Sequence, residues 1–110
     1  MNALRNKVQL IGNLGNDPEI INLESGKKLA KFSIATNESY KNAEGEIVKD
    51  TQWHNVIAWG KTAVIIEKYL LKGHEVAVEG KLANRTYETK EGGKRYITEV
   101  VCNELLMLGK

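Results

Sequence analysis

One cysteine and one proline stand in 110 residues, so no disulfide can form within the chain. A lone thiol fits a reducing cytoplasm rather than a disulfide-stapled secreted scaffold. Long hydrophobic runs are also missing. The first apolar stretch, Val8 to Leu14, is broken by Gln9, Gly12 and Asn13, and no later stretch has the roughly 20 apolar residues of a membrane span. Excess charge of either sign is scarce, because 16 basic residues face 14 acidic ones and the net charge is only +2. That balance does not by itself mark a polyanion-binding protein, so any such surface depends on where the cations sit. The two histidines, Cys102 and the scattered carboxylates show no metal-ligand spacing, and no cofactor is implied. Neither histidine has an obvious nucleophile or carboxylate partner, so no motif supports an enzyme. The remainder, 42% hydrophobic and 27% charged, is ordinary for one globular domain spanning 1–110.

Aromatic residues are few, yet both tryptophans fall in Thr51-Gln52-Trp53-His54-Asn55-Val56-Ile57-Ala58-Trp59-Gly60. Side chains alternate along a strand, so Thr51, Trp53, Asn55, Ile57 and Trp59 share one face. Gln52, His54, Val56 and Ala58 share the other. A strand that only buries one side would group its large rings with its small aliphatics. Here the indoles are kept apart from them, as a surface that stacks planar rings requires. Packing of both indoles in a core or against another subunit is the competing fate, since large aromatics are usually well buried.

The rest reads as strands with one helix. Lys7 to Leu14 alternates Val8, Leu10, Gly12 and Leu14 inward, and Gly15-Asn16-Asp17-Pro18 is turn chemistry before a short extended piece, Glu19 to Leu23. Glu24-Ser25-Gly26 turns the chain into a long run, Lys27 to Tyr40, with Ala30, Phe32 and Ile34 inward. The weak strand formers Thr36-Asn37-Glu38-Ser39 predict a bulge that resets the face of Tyr40. Lys41 to Asp50 reads as a polar, mobile loop centred on Gly45. After the tryptophan strand, Ala63, Ile66, Tyr69 and Leu70 recur at helical spacing over Lys61 to Lys72, with Gly73 placed to cap. Glu75 to Glu88 is a long strand with Val76, Val78, Gly80 and Leu82 on one side; Glu91-Gly92-Gly93-Lys94 turns, and Arg95 to Met107 returns. The order β-β-β-α-β-β predicts a mostly β protein: an OB-fold, a five-stranded Greek-key barrel with its helix between strands 3 and 4. Phe32, Tyr69, Tyr96 and Cys102 read as structural, and His74 as a surface histidine.

Asn6-Lys7-Val8, Gly12-Asn13-Leu14-Gly15, Asp17-Pro18-Glu19, Ala35-Thr36 with Glu38-Ser39-Tyr40, Trp53-His54, Gly60-Lys61, Tyr69-Leu70 with Lys72-Gly73, Val78-Glu79-Gly80 and Arg95-Tyr96 with Thr98-Glu99-Val100-Val101 resemble, in order and spacing, the bacterial single-stranded DNA-binding proteins. The likeness runs from about Asn6 to Gly109. It implies a cytoplasmic, nucleoid-associated homotetramer around which single-stranded DNA wraps in replication, repair or recombination. The family's stacking positions fall on Tyr40, Trp53, Trp59 and Tyr87, and its basic contacts match at Lys61, Lys72 and Arg85. Tyr40 and Tyr87 are tyrosines where well-known members carry tryptophan, and Ile21, Asn55, Leu71 and Ala83 replace arginines. His54 matches a position at a subunit interface. The family usually continues into a flexible linker and an acidic tip that recruits partner proteins. This sequence stops at Leu108-Gly109-Lys110, so tail-mediated recruitment is not expected.

The implied mechanism is sequence-tolerant stacking of bases on rings, with cations neutralising phosphates. Arg85 and Tyr87 lie two apart on one strand and present a cation and a ring together. Lys72, at the end of the helix, also complements the helix dipole. The rival reading is an RNA-binding OB-fold domain of cold-shock or translation-factor type, which would use the same rings and cations. An oligomerisation or sugar-binding OB module is a further alternative.

Overall fold

The computed structural model describes residues 4–108; Gly109 and Lys110, which close the chain end read above, lie outside them. The elements are β1 (Val8–Leu14), β2 (Glu19–Asn22), β3 (Lys28–Lys41), β4 (Ile47–Trp59), α1 (Gly60–Tyr69), β5 (Glu75–Glu88) and β6 (Lys94–Leu108). The sheet runs β1-β5-β6-β4-β3, and pairing of Asn13 with Ala35 and Leu14 with Ile34 joins β3 back to β1. Five strands thus close into a barrel, with α1 between its third and fourth strands, as expected. The short extended piece is a sixth strand, β2, which pairs with the first part of β3 beside β1.

Alternation fills the interior. Leu14, Phe32, Ile34, Val56, Ala58, Val76, Val78, Val100 and Cys102 point inward, and Ala63, Ile66 and Leu70 from the helix region pack onto them. The bulky residues that are exposed less than 2% are Ile34, Ile66, Leu70, Val56, Val76 and Val78. Burial of such side chains contributes about 1.5–3 kcal/mol each. Among the described residues, no helix is long and apolar enough to cross a membrane.

Three hairpin turns share one construction. In 23–27, 42–46 and 89–93 the first residue's N–H donates to the carbonyl of the fifth, and the fourth residue's N–H donates back to the carbonyl of the first. The fourth residue is Gly26, Gly45 or Gly92, each at φ between 80° and 87°. This is a type I turn closed by a left-handed glycine, which is why the sequence repeats that residue at the same step.

Several expectations need correction. The hairpin from β3 to β4 is paired without a register break from Leu29↔Trp59 to Lys41↔Ile47, so there is no bulge at 36–39 and the loop shrinks to 42–46. Cross-strand pairing over a long two-stranded arm outweighed weak local propensity. The one register shift lies between Glu79 and Gly80, where Asn103 of β6 is the extra residue. A Cβ at Gly80 would stand 2.0 Å from the carbonyl oxygen of Val101, so only glycine fits. The helix ends at Tyr69 rather than Lys72, because Leu70 turns extended (φ −94°, ψ 137°) and drops into the core at 2% exposure. Gly73, at φ 91°, belongs to the turn closed by the His74 N–H on the Leu71 carbonyl. Tyr69, Tyr96 and Leu82 are exposed rather than packed.

Both long hairpins outrun the barrel. Side chains 37–41 on one arm, and 84–88 with 94–96 on the other, are all exposed. Because β4 and β6 run parallel, pairing Val56↔Val100 and Ile57↔Val101, their preceding arms leave from the same end.

Candidate nucleic-acid interface

Regular alternation on β4 turns Val56 and Ala58 inward at 0% exposure and turns Trp53, Asn55, Ile57 and Trp59 outward. Trp53 is 62% and Trp59 43% exposed, so neither indole is part of the chain's own core. Registers extend this face across neighbouring strands. On β3, Leu29, Lys31, Ser33 and Ala35 lie opposite Trp59, Ile57, Asn55 and Trp53. On the other side, Glu99 and Ile97 of β6 follow, then Arg85 and Tyr87 of β5, with Tyr87 paired to Arg95. The result is a four-stranded outward surface between the roots of the two arms.

The polar framework of this surface is fixed from below. Asn16 Oδ1 accepts from the Ser33 N–H (3.1 Å) and from the Ser33 hydroxyl (2.9 Å). A Cβ at Gly15 would sit 2.3 Å from Trp53 Cζ3, so the indole rests on bare backbone there. Thr51 Oγ1 donates to Asn37 Oδ1 at 2.7 Å, tying the arm strands together beside Trp53.

The cations are not equivalent. Arg85 Nε donates to Glu99 Oε1 at 2.8 Å and Nη2 to Oε2 at 3.2 Å, a bidentate pair. That hydrogen bonding, followed by the charge of Glu99, holds the Arg85 guanidinium above its usual pKa. Glu99 is 4% exposed, the one buried charged side chain among the described residues. Lys31, by contrast, has no carboxylate of the described residues within 4 Å of its ammonium. It lines both shallow depressions of the face: one of about 220 Å³ with Asn16, Asn55, Arg85 and Glu99, the other of about 210 Å³ with Ile57, Trp59, Arg85 and Glu99.

The expected site residues are therefore divided. Trp53, Trp59, Arg85 and Tyr87 share the face, and Tyr87 is 46% exposed. Tyr40, 57% exposed, sits on the arm opposite Val48, and alternation puts it on the other face of the arm from Trp53. Lys61 is exposed in the first turn of α1, beside Trp59 in sequence. Lys72 is exposed in the turn after α1, anchored by its backbone N–H on Asp17 Oδ1 at 2.8 Å. His54 points inward of the tryptophans, with Nε2 3.0 Å from Thr36 Oγ1. Cys102 is buried and free, and desolvation pushes its thiol up to about 11. Among the described residues no His, Cys, Asp or Glu cluster could hold a metal ion.

Lys31, Glu99 and Arg95 were missed by reading the sequence. The alternation of Lys27 to Tyr40 did place Lys31 off the core side, but only the pairing register brings it to the tryptophans.

A closed five-stranded barrel with one helix between its third and fourth strands, and an aromatic and basic outer face between two arms, defines an OB-fold protein. The model of the single-strand binding protein family matches residues 5–108, and the chain belongs to that family. It is 47% identical over 105 residues to "Single-stranded DNA-binding protein 1" of Chlorobaculum tepidum, covering 94% of this chain and 65% of that protein. A protein of the same name from Xylella fastidiosa is 43% identical, with 98% and 80% covered. "Single-stranded DNA-binding protein" of Neisseria meningitidis serogroup A is 42% identical, with 94% and 60% covered. The chain thus spans less than two thirds of the Chlorobaculum and Neisseria relatives. A solved structure, "Plasmodium falciparum SSB complex with ssDNA", superposes with a TM-score of 0.88 at 36% identity, covering 99% of this chain and all of that one.

Proposed function

We propose that this chain binds single-stranded DNA without reading its sequence and performs no catalysis. The observation that carries this reading is the pair of indoles, 62% and 43% exposed, on one outward face with Lys31 between their strand partners. Every base has a π face, so a stacked ring accepts all four, at about 1–3 kcal/mol per base. Duplex DNA hides those faces and is left with phosphate attraction alone. The Plasmodium structure, a complex with single-stranded DNA, favours DNA over the RNA reading.

In this proposal Trp53 and Trp59 stack bases at the centre, Tyr87 extends the stack along one arm, and Tyr40 receives strand passing round the other. Lys61 and Lys72 meet phosphates at the edges of the face. The process served is replication, repair or recombination in a bacterial cytoplasm. Copies assemble as a homotetramer, with His54 close to an interface. An outer row on β1, β5 and β6 supports assembly: Ile11, Ala77 and Leu106 are aligned by register, with Ile11 51% and Leu106 63% exposed.

Tryptophan fluorescence during titration with oligo(dT), the matching duplex and the matching RNA tests the reading. Strong quenching by oligo(dT), weaker with duplex and partly reversed by salt, is expected. Trp53→Ala with Trp59→Ala removes most of the affinity while far-ultraviolet circular dichroism stays native. An equal response to RNA moves the assignment to an RNA-binding domain, and no response to any of the three refutes it.

A further inference from the structure

The centre of the outward face holds an anion where a phosphate-binding surface would be expected to hold only cations. Glu99 lines both depressions, one with Asn55 and Ile57 and the other with Ile57 and Trp59, and is buried to 4% exposure with both carboxylate oxygens engaged by Arg85. The Arg85 side chain is itself half exposed, at 50%, and the two bonds to Glu99 leave three of its five N–H donors uncommitted to that carboxylate. The net charge of the pair is zero. A phosphate approaching Arg85 meets the opposing field of a carboxylate hydrogen-bonded directly to the guanidinium, whereas one approaching Lys31 meets an ammonium with no carboxylate of the described residues within 4 Å.

Building on the single-strand reading above, we propose that Glu99 is a specificity-determining, positioning residue. It cancels the charge of Arg85, so that the centre of the face offers a flat hydrogen-bonding and stacking plane to an unpaired base instead of a counterion to a phosphate. The selective consequence follows from what each ligand displays. Duplex DNA presents its phosphates outward and gains from every free cation. A single strand presents base faces as well, and a guanidinium plane beside an indole serves those. Silencing one central cation therefore costs the duplex more than the single strand. Removal of Arg85 alone would strip the carboxylate of its partner and leave a buried, uncompensated charge in the face.

Glu99→Gln is close in shape and frees the charge of Arg85. The experiment measures affinity for oligo(dT) and for the matching duplex from low to high salt, for the wild type, Glu99→Gln and the double variant Arg85→Gln with Glu99→Gln. The expected result for Glu99→Gln is a salt slope for oligo(dT) steeper by about 0.7, the value of one added phosphate contact on a single strand. Its duplex affinity rises by a larger factor than its affinity for oligo(dT), so discrimination narrows. The double variant, which removes no net charge, keeps the wild-type slope whatever affinity it loses. A slope for Glu99→Gln equal to wild type, or a double-variant slope shallower by about 0.7, means that Arg85 already neutralises a phosphate and overturns the proposal. If Glu99→Gln does not fold, the double variant's slope decides alone. A wild-type chain that binds no oligonucleotide overturns the parent reading together with this one; binding with the wrong slopes overturns only this one.

Discussion

Single residues on the outward face carry either the fold or the ligand, and close backbone approach separates the two roles. Gly80 faces a carbonyl oxygen that cannot yield, since a Cβ there would lie 2.0 Å from backbone. Gly15 faces the edge of the Trp53 ring, 62% exposed and free to swing away, with the Ser33 hydroxyl next at 3.3 Å. Gly15→Ala is therefore expected to displace the indole and weaken oligo(dT) binding by about 1–3 kcal/mol, the worth of one stacked base, while its urea midpoint stays near wild type. Titration and urea unfolding of the same variant check this; a lowered midpoint with unchanged affinity would mean that the ring accommodates the methyl group and the backbone does not. The sequence marks both glycines, but it does not reveal which neighbour each one meets. That depends on how β1 lies against β3 and how β5 lies against β6.

At the level of elements, the helix and the arms show local pattern being overruled by packing. The apolar spacing of Ala63, Ile66 and Leu70 was legible, because helical periodicity survives in the core they join. The end of the helix was not, since Leu70 leaves helical geometry to fill the barrel interior. Leu70→Ala removes that filling, and a loss of about 2–5 kcal/mol is expected from urea unfolding, with the cavity adding to the lost burial. A loss well under 1 kcal/mol would show the barrel end collapsing onto neighbouring side chains. The arms followed the reverse course: Thr36 to Ser39 have weak strand preference, yet a continuous ladder opposite Lys49 to Gln52 keeps them extended. The three hairpin turns were marked in the sequence by Gly26, Gly45 and Gly92, since each turn has a left-handed glycine at one fixed step, but the bounds 42–46 and 89–93 came only from strand pairing.

For the whole molecule, closure by the β1–β3 pairing leaves two distinct outer surfaces. One carries the indoles; the other carries the Ile11, Ala77 and Leu106 row across β1, β5 and β6. The proposed assembly would cover the second and leave the first open to DNA. Leu106→Glu puts a charge into that row and is expected to reduce the mass found by size-exclusion chromatography with light scattering, with the barrel's circular dichroism intact. A mass equal to wild type would place the contact between copies on another face.

The sequence by itself determined the barrel strands, the position of the helix and the shared face of Trp53 and Trp59, because alternation and periodicity are local consequences of backbone geometry; that this face points outward was decided by the closed barrel. It also carried the family likeness, through short motifs in fixed order. Only the tertiary structure decided which side chains accompany the indoles. Strand register brings Lys31 and Glu99 to them from residues far away in the chain, and puts Tyr40 on the opposite face of its arm. The pairing of Arg85 with Glu99 likewise joins residues 14 apart across a hairpin. Contacts of that kind follow from how strands meet, which no single strand's pattern contains.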